Sequence, residues 1–166
     1  MFDLKKVSME DALCIFELRQ NENKGKYLNQ ITLESHINWL RNQIQLEDDY
    51  YFSVKNRKNN NCEGFISLYN VNYLENKAEW GRWIMVDNSP AIFNSYFLIL
   101  DFGFKLALDE IYCKTDVRNT NALRIHDHLP YSDRELTVEN NKTFVKHTLK
   151  ATDWDVFKLK LEKYLR

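Results

Sequence analysis

The sequence predicts a single α/β domain, and two observations carry that expectation. Segments with strand-like alternation or β-branched and aromatic bias are interspersed with segments of helical period, in the order β-α-α-β-β-β-α-β-α-β-β followed by a terminal helix. The length, 166 residues, suits one domain with a real core and is too short for two full ones.

Phe2 to Val7 alternates like a half-buried strand, and Ser8 followed by Asp11 can cap a helix carrying Ala12, Ile15, Phe16 and Leu18. The polar stretch from Asn21 to Lys26 breaks that pattern. Thr32 can start a second helix, in which His36, Ile37, Leu40 and Ile44, with Trp39 nearby, make one broad apolar face. It ends in the acidic turn Glu47-Asp48-Asp49. Tyr50 to Lys55 and Gly64 to Leu74 are β-rich runs on either side of the polar tip 56–61, which reads as a hairpin. Ala78 to Val86 adds a strand after the turn Glu75-Asn76-Lys77.

The run from Ile92 to Leu108 is apolar on most faces and long enough for about four turns, so it reads as a buried helix, with Ser89-Pro90 at its start. A short strand from Ile111 to Thr115 precedes a helix from Thr120 to His128. The segments 131–139 and 143–150 read as a hairpin around Asn140-Asn141-Lys142. Thr152 can cap a terminal helix that places Trp154, Phe157, Leu161 and Leu165 on one side, to cover a sheet or form a dimer face.

Bulk properties exclude several functions. With 23 basic and 24 acidic residues the net charge is -1, which argues against nucleic acid or a membrane surface as the main partner. The N-terminus has no apolar signal core, and no apolar run approaches the ~20 residues of a bilayer span. Cys14, Cys62 and Cys113 lack metal-ligand spacing to histidines and read as reduced thiols, so no metal and a cytoplasmic setting are expected. There is no Gly-x-Ser-x-Gly elbow, Walker loop, His-Glu-x-x-His or Cys-x-x-Cys. Glycine occurs four times and proline twice, so each position that needs one is informative.

Residues 119 to 131, Asn-Thr-Asn-Ala-Leu-Arg-Ile-His-Asp-His-Leu-Pro-Tyr, resemble a motif of the GCN5-related N-acetyltransferase (GNAT) family, Asn-x-x-Ala-x-x-x-Tyr-x-x-x-Gly-Phe. Asn119 and Ala122 are in register, His126 stands at the tyrosine position, and Pro130-Tyr131 replaces Gly-Phe. Thr32-Leu33-Glu34-Ser35-His36, Gly64-Phe65-Ile66-Ser67-Leu68, Glu79-Trp80-Gly81-Arg82-Trp83-Ile84, Phe102-Gly103-Phe104 and Asp109-Glu110-Ile111-Tyr112 resemble further family segments in the same order, over roughly residues 1 to 150. The resemblance is strongest to members that acetylate amino sugars of nucleotide sugars, of the pseudaminic acid pathway type, and ribosomal-protein N-terminal acetyltransferases share many of the same phrases.

The resemblance implies a GNAT-like mixed, strongly twisted sheet flanked by helices, with an added C-terminal helix. It also implies acetyl-CoA as co-substrate, a small-molecule amine as partner and a possible homodimer. The end of the fourth strand, Ile84, Met85 and Val86, would offer backbone groups to the pantetheine arm. The following turn and helix start would hold the pyrophosphate. There the family has a glycine-rich loop, whereas Asp87-Asn88-Ser89-Pro90-Ala91-Ile92-Phe93 has no glycine. Asn88, Ser89, Asn94 and Ser95 offer polar contacts in its place, or the segment is simply a helix cap.

N-Acetylation needs a base for the amine, a donor for the oxyanion and a proton for the leaving thiolate. Glu79 is the first candidate base, with an ordinary ion-paired carboxylate as the alternative. His36 is the second, or else a packed helix residue. His126 is the candidate acid, provided its pKa stays near neutral, or else a solvent-facing residue as His128 is expected to be. Asn119 would touch the pantetheine or cap its helix, and Asn121 or Arg124 would reach the CoA phosphates. Tyr69, Tyr73, Trp80 and Trp83 form an aromatic group that could stack a sugar or base, or fill the sheet core. A GNAT-like domain that binds a ligand or partner without chemistry is the alternative of another class.

Overall fold

The computed structural model describes residues 1–21 and 30–164, with side chains through residue 160. Most of the polar stretch after Asn21 lies outside the described residues, as do Leu165 and the side chain of Leu161. Seven strands form a mixed sheet in the order β1-β2-β3-β4-β5-β7-β6, and the described residues include five α-helices. Among the described residues no helix is long and apolar enough to cross a membrane. The chain divides into two compact units, Met1–Val71 with Trp80–Phe102, and Asn72–Glu79 with Gly103–Arg166.

The first unit begins with β1 (Phe2–Lys6), a 3-10 turn (Met9–Asp11) and α1 (Ala12–Gln20). The capping pair read in the sequence forms: the Ser8 amide donates to Asp11 Oδ2 at 2.9 Å, and the Ser8 hydroxyl accepts from the Glu10 amide at 3.3 Å. Helix α2 (Leu33–Gln43) starts at Thr32, whose hydroxyl accepts the Ser35 amide at 3.1 Å. Ile15, Leu40, Tyr51 and Phe65 pack with Val7, Ala12 and Ile84 into one buried cluster. The thiols of Cys14 and Cys62 lie beside each other as free cysteines.

Strand β2 (Tyr50–Asn56) pairs antiparallel with β1 and with β3 (Cys62–Asn72), and the β2–β3 register shifts between Val54 and Lys55. Gly64 stands at this shift with φ +151°, where a Cβ would lie 2.5 Å from the Ile84 carbonyl oxygen and 2.7 Å from Met85 Cα. Only glycine permits so close a passage of two backbones there. Strand β4 (Lys77–Met85) contributes its second half to this unit, and α3 (Ile92–Lys105) contributes all but its last turn. The helix stops at Lys105, earlier than the apolar pattern suggests, and Ala107 with φ +60° turns the chain out of it.

The second unit holds the start of β4, then β5 (Glu110–Asp116), α4 (Thr120–His126), β6 (Asp133–Glu139), β7 (Lys142–Lys150) and α5 (Ala151–Tyr164). Helix α4 ends two residues before the expected His128. Asn140 and Asn141, with φ of +49° and +60°, make the tight turn between β6 and β7, the conformation that asparagine tolerates best after glycine. β7 runs antiparallel to both β5 and β6, which sets His147 opposite Cys113 on one side and Arg134 on the other. Helix α5 follows β7 directly. Its first residue, Ala151, gives its amide to the Asp109 carbonyl at 3.0 Å, so Thr152 lies inside the helix and is not its cap. Trp154 is buried and stacks on Phe104 of the last turn of α3, with ring centroids 6.0 Å apart.

Candidate functional site

β4 and β5 are parallel neighbours that pair only from Lys77↔Glu110 to Glu79↔Tyr112. Glu79 is therefore the last β4 residue in the parallel ladder, and it is 8% exposed. Its Oε2 lies 4.0 Å from Lys114 Nζ, which binds Glu139 more closely at 2.7 Å. Tyr112 lies among these charges, with the ammonium groups of Lys146 and Lys114 5.2 and 5.8 Å from its ring centroid. Burial, then the Glu79 carboxylate, push the Tyr112 phenol above its ordinary value. Lys146 in turn binds Glu135 at 2.9 Å. Glu79 thus lies beside Lys114, at the edge of a group of paired lysines and glutamates. The roles of Lys114 and Tyr112 were hidden in the sequence because β5 read as an ordinary short strand.

At the far end of β4, Ile84 and Met85 are buried and Val86 is half-exposed. The Val86 amide donates to the Glu63 carbonyl at 2.8 Å, so that donor is engaged with β3. Backbone groups alternate in direction along a strand, which turns those of Met85 toward the opposite edge of β4. Of the three residues expected to offer groups to an acyl-CoA arm, Met85 is the one this pattern suits.

The glycine-free turn replaces flexibility with fixed hydrogen bonds. Asn88 takes the left-handed conformation, φ +55°, a place where glycine would be ordinary. Ser89 is buried; its hydroxyl donates to Glu63 Oε2 at 2.8 Å and accepts the Ala91 amide at 3.1 Å. Ala91 is fully buried and Ile92 partly so. Ser95 is also buried, with its hydroxyl between the Trp83 indole N–H at 2.9 Å and the Ile92 carbonyl at 2.8 Å. Ser89 and Ser95 therefore serve the fold, and Asp87, Asn88, Pro90, Phe93 and Asn94 are the exposed residues of the segment.

Asn119 caps α4, its Oδ1 accepting the Ala122 amide at 3.2 Å, while Asn121 and Arg124 are exposed on the same short helix. His126 is buried, unlike the exposed His128. Its Nε2 lies 3.1 Å from Thr115 Oγ1 and its Nδ1 lies 3.1 Å from the Tyr131 hydroxyl, with the Cys113 sulfur 4.0 Å away. The His147 ring is 5.0 Å from it. Burial, then His147 and Arg134, lower the His126 pKa to about 3, and burial lowers that of His147 to about 4. The condition for His126 to act as an imidazolium acid, a pKa near neutrality, is therefore not met. Burial likewise pushes the Cys113 thiol up to about 12, so it is no nucleophile.

His36 packs between Phe16 and Trp39, with ring centroids 6.0 and 5.8 Å away, and is 1% exposed. Burial, then the charge of Arg19, hold it neutral, and its place is in the packed α1–α2 layer. Beside it lies a group that the sequence did not reveal. Arg82 has φ +46° and donates through its NH1 to both oxygens of buried Asp49 at 2.6 and 2.7 Å, and through its NH2 to Gln43 at 3.1 Å. The rings of Tyr69, Trp39 and Tyr51 surround the guanidinium at 4.3, 5.2 and 5.8 Å. Gly81 makes room for Tyr69, since a Cβ there would lie 2.8 Å from the phenol oxygen. The anticipated aromatic group accordingly splits: Trp80 is buried core, Tyr69 flanks Arg82, and Tyr73 is exposed.

Comparison with known proteins agrees with this architecture. A family model described as an acetyltransferase (GNAT) domain matches residues 2–131. Among solved structures, apo FdhC, a nucleotide-linked sugar GNAT, superposes with a TM-score of 0.81 at 20% identity, covering 99% of this chain and 95% of that one. A chimera of the spermidine N-acetyltransferase SpeG from Vibrio cholerae with hSSAT gives 0.77 at 16% identity, covering 92% and 97%. The dodecameric spermidine N-acetyltransferase from the same organism gives 0.74 at 17% identity, covering 92% and 95%. A search of curated proteins finds no match. The family match over most of its length establishes that this chain belongs to the GNAT acetyltransferases and is an acyltransferase.

Proposed function

We propose that this chain transfers an acetyl group from acetyl-CoA to a primary amine of an amino sugar carried on a nucleotide, by direct attack in a ternary complex. The observation that carries the reading is Glu79, a buried carboxylate at the last rung of the β4–β5 ladder. Glu79 takes the proton of the substrate ammonium, directly or through one water, and frees the lone pair that forms the N–C bond. The Met85 amide, aimed away from β3, is the donor for the oxyanion that develops on the acyl carbonyl. Collapse then breaks the C–S bond, and the thiolate takes its proton from solvent. His126, buried and neutral, has a positioning role, holding the Tyr131 hydroxyl.

Asn88, Phe93 and Asn94 around the first turn of α3, with Met85, are the groups left to hold acetyl-CoA, which supplies the activated thioester. The side chains of Asn88, Phe93 and Asn94 are accessible, whereas Ser89 and Ser95 are consumed within the protein. The amino-sugar assignment draws on the sequence phrases around Glu79 and on the likeness in fold to a nucleotide-linked sugar GNAT. The test is thiol release from acetyl-CoA with three acceptors in parallel: a nucleotide-linked amino sugar, spermidine, and a peptide with a free N-terminus. Release with the sugar alone, falling at least about 100-fold in Glu79→Gln, is the expected result. No release with any acceptor, or release with spermidine or the peptide and not the sugar, overturns the assignment.

A further inference from the structure

Lys114 is shared between two carboxylates of the second unit. Its Nζ binds Glu139 Oε1 at 2.7 Å and stands 4.0 Å from Glu79 Oε2; the side chains of Lys114, Glu139 and Glu79 are 24%, 47% and 10% exposed. The strand register explains this arrangement. Lys114, Lys146 and Glu135 form one cross-strand row through β5, β7 and β6, so their side chains leave the same face of the sheet. Glu139 lies four residues beyond Glu135 on β6 and shares that face, and the tight turn at Asn140 and Asn141 fixes its end of the strand. Two lysines side by side in a row repel each other, and β6 gives each its own glutamate: Glu135 takes Lys146 at 2.9 Å, and Glu139 takes Lys114. Held by Glu139, the Lys114 ammonium stays beyond hydrogen-bond reach of Glu79.

The surrounding groups are paired or neutral. Lys77, two residues earlier on β4, is bound to Glu75, and Lys146 is bound to Glu135. Tyr112, opposite Glu79 in the last rung, is an uncharged phenol, since burial and then Glu79 push it above its ordinary value. Cys113 alternates to the other face of β5, with its thiol pushed up to about 12. Burial opposes the charge on Lys114, but the hydrogen bond to Glu139 and then the Glu79 carboxylate outweigh it and hold the ammonium above its ordinary value. Burial by itself favours the protonated form of a carboxylic acid, while a direct bond from an ammonium group favours the ionised form and lowers its basicity. A general base has to be both ionised and basic at working pH. An ammonium at 4.0 Å, held back by a second carboxylate, serves both needs.

We infer that Lys114 and Glu139 are positioning residues for acetyl transfer: Glu139 holds the Lys114 ammonium where it keeps Glu79 ionised without hydrogen-bonding it, and the pair thereby sets the pH range in which the base works. This rests on the reading of Glu79 as the base. Glu79 takes one proton from the substrate ammonium, leaving the amine lone pair for the N–C bond, and gives that proton to solvent after transfer. Lys114 stays an ammonium throughout and exchanges no proton.

The test is carboxyl-carbon NMR of the ligand-free protein against pH, with the Glu79 signal assigned by its loss in Glu79→Gln. It is paired with the acid limb of the kcat profile for thiol release from acetyl-CoA with a uridine diphosphate-linked amino sugar. Lys114→Met moves the midpoint of the Glu79 signal up by at least about half a pH unit. Glu139→Gln, which frees Lys114 to close on Glu79, moves it down. Adding Glu139→Gln to Lys114→Met has no further effect, and Lys114→Arg, which keeps the charge, stays near wild type. The kcat limb follows in the same directions, whereas a merely structural role lowers kcat and leaves the limb in place. An unmoved midpoint in either single variant, or shifts of the same sign in both, overturns the assignment. Circular dichroism checks each fold, and Glu139→Gln, on the exposed edge strand, carries the test should Lys114→Met fail to fold. If the signals stay fixed while Glu79→Gln is inactive, Lys114 and Glu139 lose their role and the base stands. If the signals move as stated while Glu79→Gln turns over like wild type, the base reading fails and the role of the pair with it.

Discussion

The imidazole of His126 and the phenol of Tyr131 are 3.1 Å apart, Nδ1 to hydroxyl, and Thr115 closes the other ring nitrogen at 3.1 Å. His147, opposite Cys113 in the β5–β7 register, completes the group with its ring 5.0 Å from that of His126 and 4.8 Å from that of Tyr131. Both ring nitrogens of His147 are buried without a hydrogen-bond partner. The position that the sequence motif reserves for an acid is therefore part of a packed polar layer under α4.

That layer makes stability depend on mild acid. In the folded protein the pKa of His126 is about 3 and that of His147 about 4, both below the ordinary value of 6.5. Between the unfolded and folded values the unfolded chain binds more protons, so stability is full above pH 6.5 and is lost as pH falls toward 4. The loss should be on the order of a few kcal/mol, read as a falling urea midpoint between pH 7 and pH 4.5. His147→Gln should flatten the curve. A midpoint constant over this range would show that the two rings are not held neutral by the fold.

Glu79→Gln separates chemistry from structure. The carboxylate is 4.0 Å from Lys114, a distance at which the pair contributes little, and Lys114 keeps its closer partner Glu139. Thermal stability should hold within about 1 kcal/mol, while kcat at pH 7 falls about 100-fold or more and recovers in part near pH 9.5, where free amine is abundant. Wild-type turnover at pH 7 would remove Glu79 as the base, and a pH-independent loss would mark it as structural.

Gly64 tests the β3–β4 approach. Alanine there must hold φ near +151° and place its Cβ 2.5 Å from the Ile84 carbonyl oxygen, with backbone rather than a yielding side-chain tip in the way. Strained backbone and overpacking together should cost more than about 3 kcal/mol. A denaturant midpoint within experimental error of wild type would show that the two strands can part at no cost.

What the sequence made legible follows from what is local. The caps at Ser8 and Thr32, the asparagine turn at 140–141 and the strand carrying Glu79 all depend on neighbours a few residues away. The Arg82 group was hidden because Asp49, Trp39 and Tyr69 converge on it from three different elements, and nothing in the order of residues states that convergence. The neutrality of His126 was hidden for the same reason: His147 reaches it through the register of β7, and a slip of one residue would have turned that ring to the other face. The end of α3 was read too long because Leu106 and Leu108 carry its apolar pattern into the turn that follows, and α4 was read two residues too long, through the exposed Asp127 and His128.

Ser89 decides what the glycine-free turn is for. A hydroxyl has one proton to give, and that of Ser89 goes to the Glu63 carboxylate at 2.8 Å; its oxygen accepts the Ala91 amide at 3.1 Å. A phosphate group would have to displace Glu63, itself an anion, to reach that proton. Ser89→Ala should therefore cost about 1 to 2 kcal/mol of stability, as the loss of a buried cap does. It should leave the affinity for acetyl-CoA within about twofold of wild type, well under the tenfold that 1.4 kcal/mol of lost phosphate contact would produce. Paired thermal melts and acetyl-CoA titrations read both effects, and a tenfold weaker complex with an unchanged melting temperature would assign Ser89 to the cofactor and not to the helix.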